Sequence, residues 1–490
     1  MVWIFLQLFM PVPMLKLITP FRVLFNLDSS KIAAQPTLFT EFLKKTQEAL
    51  DNPETALARS LHPALKVEAK LPPAAKPAAK GAQDSSGARD HGRFFLSPHV
   101  LTLSFRESYL PDLEALYAAA AADADATIGV SYADMFRPDL ADLKIKLNDN
   151  TVAVMLLDLH TPKGVPDEAE SWSRLNDWVA ALVKSMLTEL YPQMIFPLLK
   201  AMNEFSNETK DFFVYDVSEY KIFFVLVGDP QNPYPDLHKR FIPMKTVMTL
   251  CAETIPAKNE WVATILKHCT SVQMKNVDVR ISDENNFALL ATGTETKALE
   301  SLWELVAAAS YYYIAMNVIN VNLIRYIGIT SGRYSTAMLR IVSHDMENII
   351  NSVTILKVRY NDLVAELSGA NRKVFQAMQK EWEFKNISDN IQYKLELCRA
   401  NIKIISLETQ RRNQGRIETV LTGVAGVTLV SITVDLAAYA TQLPEENMHM
   451  VGSIPGFMDL GFLLSGNVLS WFGFILAAGV LAFTIRHRSG

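Results

Sequence analysis

From Ala370 onward the chain places Val374, Met378, Phe384, Ile387, Ile391, Leu395, Cys398, Ile402 and Ile405 at intervals of roughly three and four, with charged residues between them. That is the period of a helix with one apolar face. No proline falls between Ala257 and Leu443, and the pattern runs past Arg411, Arg412 and Arg416 into Val420 to Tyr439, twenty residues whose only charge is Asp435. Such a length matches a hydrocarbon core of about 30 Å at 1.5 Å rise per residue. The pattern predicts one helix from Ala370 to Thr441, roughly 108 Å long, that begins as a stalk and ends as a transmembrane helix, with Gly415 as a swivel. A second apolar segment, Leu460 to Ile485, closes a two-helix hairpin.

The preceding part is mixed. Met1 to Leu15 is almost wholly apolar but holds Pro11 and Pro13 and no basic start, so an interfacial or packing segment, a mis-assigned translation start and a third span all remain open. Ser29 to Leu61 is compatible with helix between its prolines. Lys66 to Gly92 is rich in Pro, Ala, Gly and Ser and reads as a disordered linker. Leu143 to Leu147 and Val152 to Leu157 flank Asn148, Asp149 and Asn150, the pattern of a β-hairpin. Trp178, Leu182, Met186 and Leu190 put a helix at Trp172 to Tyr191. Strand pairs are expected at Phe212 to Tyr215 with Lys221 to Val227, and at Val277 to Ile281 with Phe287 to Ala291. Thr296 to Ile327, with Tyr311, Tyr312 and Tyr313, reads as an apolar core helix. Val342, Met346, Ile349, Val353, Leu356, Tyr360, Leu363 and Leu367 continue at heptad spacing, and Ser368 and Gly369 turn the chain.

The expected fold class is an α/β or α+β cytosolic domain followed by a long helical stalk and a C-terminal two-helix transmembrane hairpin. The boundaries follow: an N-terminal appendage over 1–65, the linker over 66–92, the α/β domain over 93–295 and the coiled-coil or stalk region over 296–415. Then come a first span at 416–441, an external loop at 442–459, a second span at 460–486 and a tail at 487–490. Arg411, Arg412 and Arg416 precede the first span and Arg486 and Arg488 follow the second, while Thr441 to Asp459 holds no Lys or Arg. By that asymmetry both termini are cytoplasmic.

Composition narrows the function. A net charge of −5 with no basic concentration outside the membrane flank argues against nucleic acid as a partner. Cys251, Cys269 and Cys398 are too scattered for a disulfide frame or zinc site. No phosphate loop, dinucleotide fingerprint, HExxH or GxSxG occurs, so catalysis has no motif behind it. His160 and Asp229 lie at or near strand ends and would be the minimum of an enzymatic site. Asp167, Glu168 and Glu170 suit a helix start.

On the first span Leu421, Val424, Thr428, Ser431 and Asp435 recur along one face, with a polar stripe of Thr428, Ser431 and Asp435. An ionisable residue inside a span is a functional candidate, and Gly423 and Gly426 permit close helix contact. One chain cannot enclose a pore with two spans, so the stripe requires a homo-oligomer embedded in membrane lipid. Glu445, Glu446 and Asp459 would then ring the outer mouth and gather cations.

The segment Asn413 to Thr422, NQGRIETVLT, with the order of domains around it, resembles the CorA-like family of magnesium transporters over roughly Tyr334 to Gly490. The resemblance implies that Asn413 is the inner-mouth polar residue, that Leu421 is the hydrophobic constriction, that the assembly is a pentamer and that magnesium (Mg2+) or another divalent cation is the ion. Where the family carries Gly-Met-Asn this chain has LAAYAT, Leu436 to Thr441, and the family's proline in the first span is absent near Val430. Degenerate CorA-like proteins of prokaryotic antiviral systems share the loss and respond to a nucleotide signal. The expectation is a CorA-like channel or transporter of the bacterial inner membrane, gated through its cytosolic domain by a nucleotide ligand. The alternative is a membrane-anchored coiled-coil scaffold without transport.

Overall fold

The computed structural model describes residues 14–27, 29–70, 99–148, 150–162, 168–204, 247–252, 269–282, 289–330, 336–367 and 369–441, with single positions at 260, 263, 267 and 479. It divides into two compact units, residues 1–331 with 344–397, and residues 332–343 with 398–490.

The first unit is built on a nine-stranded sheet. Its strands are β1 (Met14–Asn26), β2 (Leu65–Ala69), β3 (His99–Phe105), β4 (Arg137–Asn148), β5 (Asn150–His160), β6 (Val247–Ala252), β7 (Thr270–Met274), β8 (Val277–Ile281) and β9 (Leu289–Thr292). They lie in the order β2-β3-β4-β5-β1-β6-β9-β8-β7, and every pairing is antiparallel except β6 with β9. The first strand of the chain is therefore the middle of the sheet. It pairs with β5 from Met14↔His160 to Asn26↔Asn150, and with β6 from Met14↔Cys251 to Ile18↔Val247. Pro20 falls just beyond the last β6 pair, where its missing N–H leaves no gap in that ladder.

One face of this sheet is apolar. Leu15, Leu17, Leu101, Leu103, Ile145, Leu147, Met155 and Leu157 share a core with Phe39 and Leu43 of α2 (Pro36–Asp51), Tyr117 of α4 (Leu110–Ile128), Trp178 and Leu182 of α5 (Ala169–Leu190) and Leu198 of α6 (Phe196–Glu204). The short helices α1 (Ser29–Ala34) and α3 (Ala56–Ser60) complete this side of the chain. Asp125 of α4 accepts from the Trp178 indole N–H at 2.7 Å and from the backbone N–H of Tyr132 at 2.9 Å, which fixes α4 to α5. The outer edge at β2 is closed by Gln47 of α2, whose amide accepts from Ala69 N–H at 2.7 Å and donates to Val67 C=O at 3.4 Å. A side chain thus stands in for a missing strand, one way of blunting a sheet edge.

On the other face α7 (Thr296–Thr330) lies against β1 and β5, and α9 (Gly369–Glu381) packs on β7 and β8, where Val272, Met274, Val277, Val279 and Ile281 are buried. Helix α8 (Thr336–Glu366) joins them through aromatic rings. Tyr312 meets Tyr360 at 5.3 Å, Tyr360 stacks on Phe384 at 5.7 Å, and Tyr313 lies 5.5 Å from Phe384. These contacts end α9 where a continuous helix was expected. Trp382 and Phe384 stack at 6.3 Å on either side of Glu383, whose φ of 53° breaks the chain into α9 and α10 (Phe384–Thr441). From there α10 runs without interruption through Gly415.

The β4-β5 hairpin, α5, the β8-β9 pair and α7 stand where the patterning put them. Besides the break at Glu383, three expectations are corrected. Met14 to Asn26 belongs to the centre of the sheet and not to an appendage over 1–65. Residues 66–69 form β2, so that end of the expected linker is a strand; 71–92 lie outside the described residues. Finally, among the described residues no helix is long and apolar enough to cross a membrane. The uncharged run of α10 between Glu418 and Asp435 is 16 residues, five of which carry hydroxyls, short of the ~20 apolar residues a span requires. The finding overturns the transmembrane hairpin and the multi-pass placement in the bacterial inner membrane. The expected second span and external loop, with Glu445, Glu446 and Asp459, lie outside the described residues, as do Asp167, Asp229 and the pair Phe212 to Tyr215 with Lys221 to Val227.

Two glycines separate backbone strain from steric clash. A Cβ on Gly293 (φ +144°) would stand 2.4 Å from the Asn276 carbonyl oxygen, whereas one on Gly129 (φ +72°) meets nothing within 4 Å. Gly293→Ala should cost about 3 kcal/mol in urea unfolding and Gly129→Ala about 1 kcal/mol. Equal losses would contradict the close approach at Gly293.

Candidate functional site

Alternation along the strands that makes one sheet face apolar delivers polar residues to the other. Lys16 of β1 faces Asp158 of β5 in register. Its Nζ donates to Oδ2 at 2.7 Å and stands 2.6 Å from Oδ1, with both side chains buried. The same ammonium lies 3.9 Å from the ring centre of Trp303 on α7. The next residue of α7, Glu304, accepts from Lys146 of β4 at 2.5 Å. Consecutive residues of one helix thus engage ammonium groups from two strands. Burial raises the Asp158 carboxyl above the ordinary carboxylate range, and Lys16 pulls the other way without cancelling it. Cys251 of β6 is pushed up to about 12 by burial, with the Trp303 indole a lesser and opposing influence, so its thiol is inert.

None of these residues stood out as a site in the sequence. The available signal was Lys16 itself, a lone charge within Met14 to Phe21. His160, which did stand out, ends β5 and lies 3.7 Å from Asp139, with both side chains partly exposed. The pair sits at a strand terminus, where Arg137 of β4 is the ladder partner of His160. Among the described residues no three His, Cys, Asp or Glu side chains converge as metal ligands.

The second candidate surface is on α10, which carries Asn413, Leu421, Val424, Thr428, Ser431 and Asp435. At 100° per residue these six fall within an arc of roughly 80°. All but Asp435, whose side chain is outside the described residues, are exposed. Thr428 of the polar stripe donates to the Val424 carbonyl at 2.8 Å, and on other sides of α10 Thr419 and Thr422 donate likewise to the carbonyls of Gly415 and Glu418, each at 2.7 Å. Hydroxyls turned back onto the helix are satisfied there, and such a threonine packs largely as a methyl group. Ile417, Val420, Val424 and Val427 are each more than half exposed and, with Ser431, repeat at intervals of three, four, three and four. That is an a/d seam.

No family model, curated protein or solved structure matches the chain. Roles are therefore assigned below from the residues alone.

The raised Asp158 has a consequence for stability. A carboxyl whose folded pKa exceeds its unfolded value takes up a proton on folding, so its contribution is fully present below the ordinary carboxylate range and is lost as pH rises through the raised value. The stability of the wild type relative to Asp158→Asn should fall as pH rises over that window, measured by urea unfolding at a series of pH values. A flat or rising difference would contradict the assignment. At neutral pH Lys16→Met should cost about 3 kcal/mol, and Lys16→Met with Asp158→Leu should recover most of it, because the cost lies in the orphaned partner.

Proposed function

We propose that this protein is a homo-oligomeric scaffold in which α10 joins three or more copies and so gathers their sheet-bearing units. The observation that carries this reading is the exposed apolar arc of α10. Val427, Val420, Val424, Ile417, Leu421, Ile432 and Leu429 follow one another around the helix over roughly 200°. A two-stranded seam occupies a narrower stripe, and a helix apolar over this width has neighbours on more than one side. A second copy fits such a face because a parallel homotypic seam sets each residue against itself: Val424 meets Val424, and Asn413 meets Asn413 in the polar layer below. Buried asparagines at such layers set register and copy number. The ion-conducting reading needs a bilayer-spanning helix and is not carried forward.

Light scattering of the full chain should give a mass of at least three copies. Val424→Asp with Val427→Asp, which places charges in two layers of the seam, should reduce it to one copy while the urea midpoint of the first unit stays put. Thr419→Asp, at an exposed position on the side of α10 opposite the centre of the arc, should leave the mass unchanged. A monomeric wild type, or a double variant that keeps its mass, would refute the scaffold.

A further inference from the structure

Helices α9 and α10 are parted by Trp382 and Glu383, and nothing in the local sequence calls for a break there. Lys380 to Asn386, KEWEFKN, holds neither glycine nor proline and is compatible with uninterrupted helix. Glu383 nevertheless stands at φ 53°, a left-handed conformation in which a Cβ crowds the following carbonyl. The hydrogen bonds change partner at the same point. Trp382 N–H still donates four residues back, to Met378 C=O at 2.9 Å, but Glu383 N–H donates three back, to Lys380 C=O at 3.2 Å. Glu383 C=O then opens α10 by accepting from the N–H groups of Asn386 and Ile387 at 3.0 and 3.4 Å, and the Asn386 amide donates to the Glu383 carboxylate at 3.0 Å.

A seat of rings holds the bend. The Phe384 ring centre lies 5.5 Å from that of Tyr313, 5.7 Å from Tyr360 and 6.3 Å from Trp382, and Trp382 lies 6.3 Å from Tyr313. Trp382 and Phe384 are buried, while Glu383 between them is exposed. Tyr360 is itself fixed to α9, because its hydroxyl accepts from the Gln379 amide. Local sequence thus favours a straight helix and tertiary packing a bent one, the opposition from which two-state elements are made.

We propose that the Glu383 turn is a two-state hinge latched by Trp382 and Phe384. In the bent state both rings are seated and Glu383 bears the left-handed strain. In the straight state Glu383 returns to the right-handed helical region, its N–H donates to Gln379 C=O, and α9 and α10 run on as one helix. That state carries Trp382 and Phe384 roughly 200° apart around the axis, so at most one of them keeps its place against Tyr313. Burial of two rings outweighs the strain at one residue, so the bent state predominates and the straight one is a minor population on the order of a few per cent. The inference rests on the first unit alone and stands apart from the assembly of α10.

The test is a pulsed dipolar distance measurement between spin labels at Lys373→Cys on α9 and Glu396→Cys on α10, both exposed positions. The full chain is used, with Cys269→Ser, since Cys251 and Cys398 are buried, and it is diluted into unlabelled chain so that only distances within one copy are read. A continuous helix sets the two positions about 35 Å apart, and the bent state gives a shorter distance. Glu383→Ala keeps the strain, removes the bond from Asn386 and favours helix, so it should enlarge the long-distance population several-fold. Phe384→Ala, which empties the latch, should enlarge it about tenfold. Glu383→Gly carries no left-handed strain and disfavours helix, so its long population should vanish. Glu383 is exposed, so both of its variants should fold, and they decide the matter even where Phe384→Ala does not. A long population in Glu383→Ala that Glu383→Gly lacks supports the hinge; a single short distance in both would overturn it.

Discussion

The sheet depends on β1. Four strands, β2 to β5, lie on one side of it and four, β6 to β9, on the other, and among the described residues Met14 to Asn26 hydrogen-bonds the two groups into one sheet. The constraint on that strand is severe, because it is covered on both faces. Leu15, Leu17 and Phe21 must fill the core beneath α2, α4, α5 and α6, while Lys16 must point the other way into the shelter of Trp303. A shift of one residue would exchange these sets. It would bury Leu17 where an ion pair belongs and set Lys16 among leucines. The Lys16–Asp158 pair therefore contributes more to register than to net stability, since desolvation offsets most of the Coulomb attraction and the raised Asp158 carboxyl records that cost.

The two faces are closed by different physics. Beneath the apolar face the helices are held by leucine, tryptophan and tyrosine packing, with Asp125 supplying the polar tie. Above the charged face α7 is held by ionic contacts at Trp303 and Glu304 and, further along, by aromatic rings. Tyr313, Tyr360 and Phe384 come from three helices and Trp382 from the turn between α9 and α10, and their mutual contacts explain why Glu383 accepts a left-handed backbone. A straight helix would carry Trp382 and Phe384 to different faces. The turn brings both to Tyr313 and stacks them on each other.

Elements with a clean period were legible in the sequence. Helix α5 showed itself because it has one buried and one wetter side, and the β4-β5 hairpin because it carried its own turn residues, although β5 is buried on both sides from Val152 to Leu159. Strand β1 was not legible because a strand buried on both faces loses alternation and, unlike β5, it has no hairpin turn beside it to mark it. Strand β7 is only five residues long and carries Ser271 and Gln273 on its wetter side. The break at Glu383 had no local signal, since neither glycine nor proline marks it and its cause lies in rings distant in sequence. The ionic site was equally hidden. Lys16, Lys146, Asp158 and Glu304 come from four separate segments, which the strand order and the packing of α7 on the sheet bring together.

Helix α10 shows how one pattern supports two readings. A bilayer and a bundle of like helices both reward an apolar surface, so hydropathy alone does not choose between them. Charge spacing and hydroxyl count discriminate better. Glu418 and Asp435 bracket a run too short for a hydrocarbon core, and Thr419, Thr422 and Thr428 within it fold their hydroxyls back onto the helix. What remains outward is a set of β-branched side chains at a/d spacing, stiff at χ1 and so inexpensive to order against a neighbour. Below them the same spacing reaches Asn413 and Gln410, where apolar residues give way to amides. Packing against like helices satisfies both parts of that seam at once, because amides can pair with amides across an axis while valines pack on valines in the layers above.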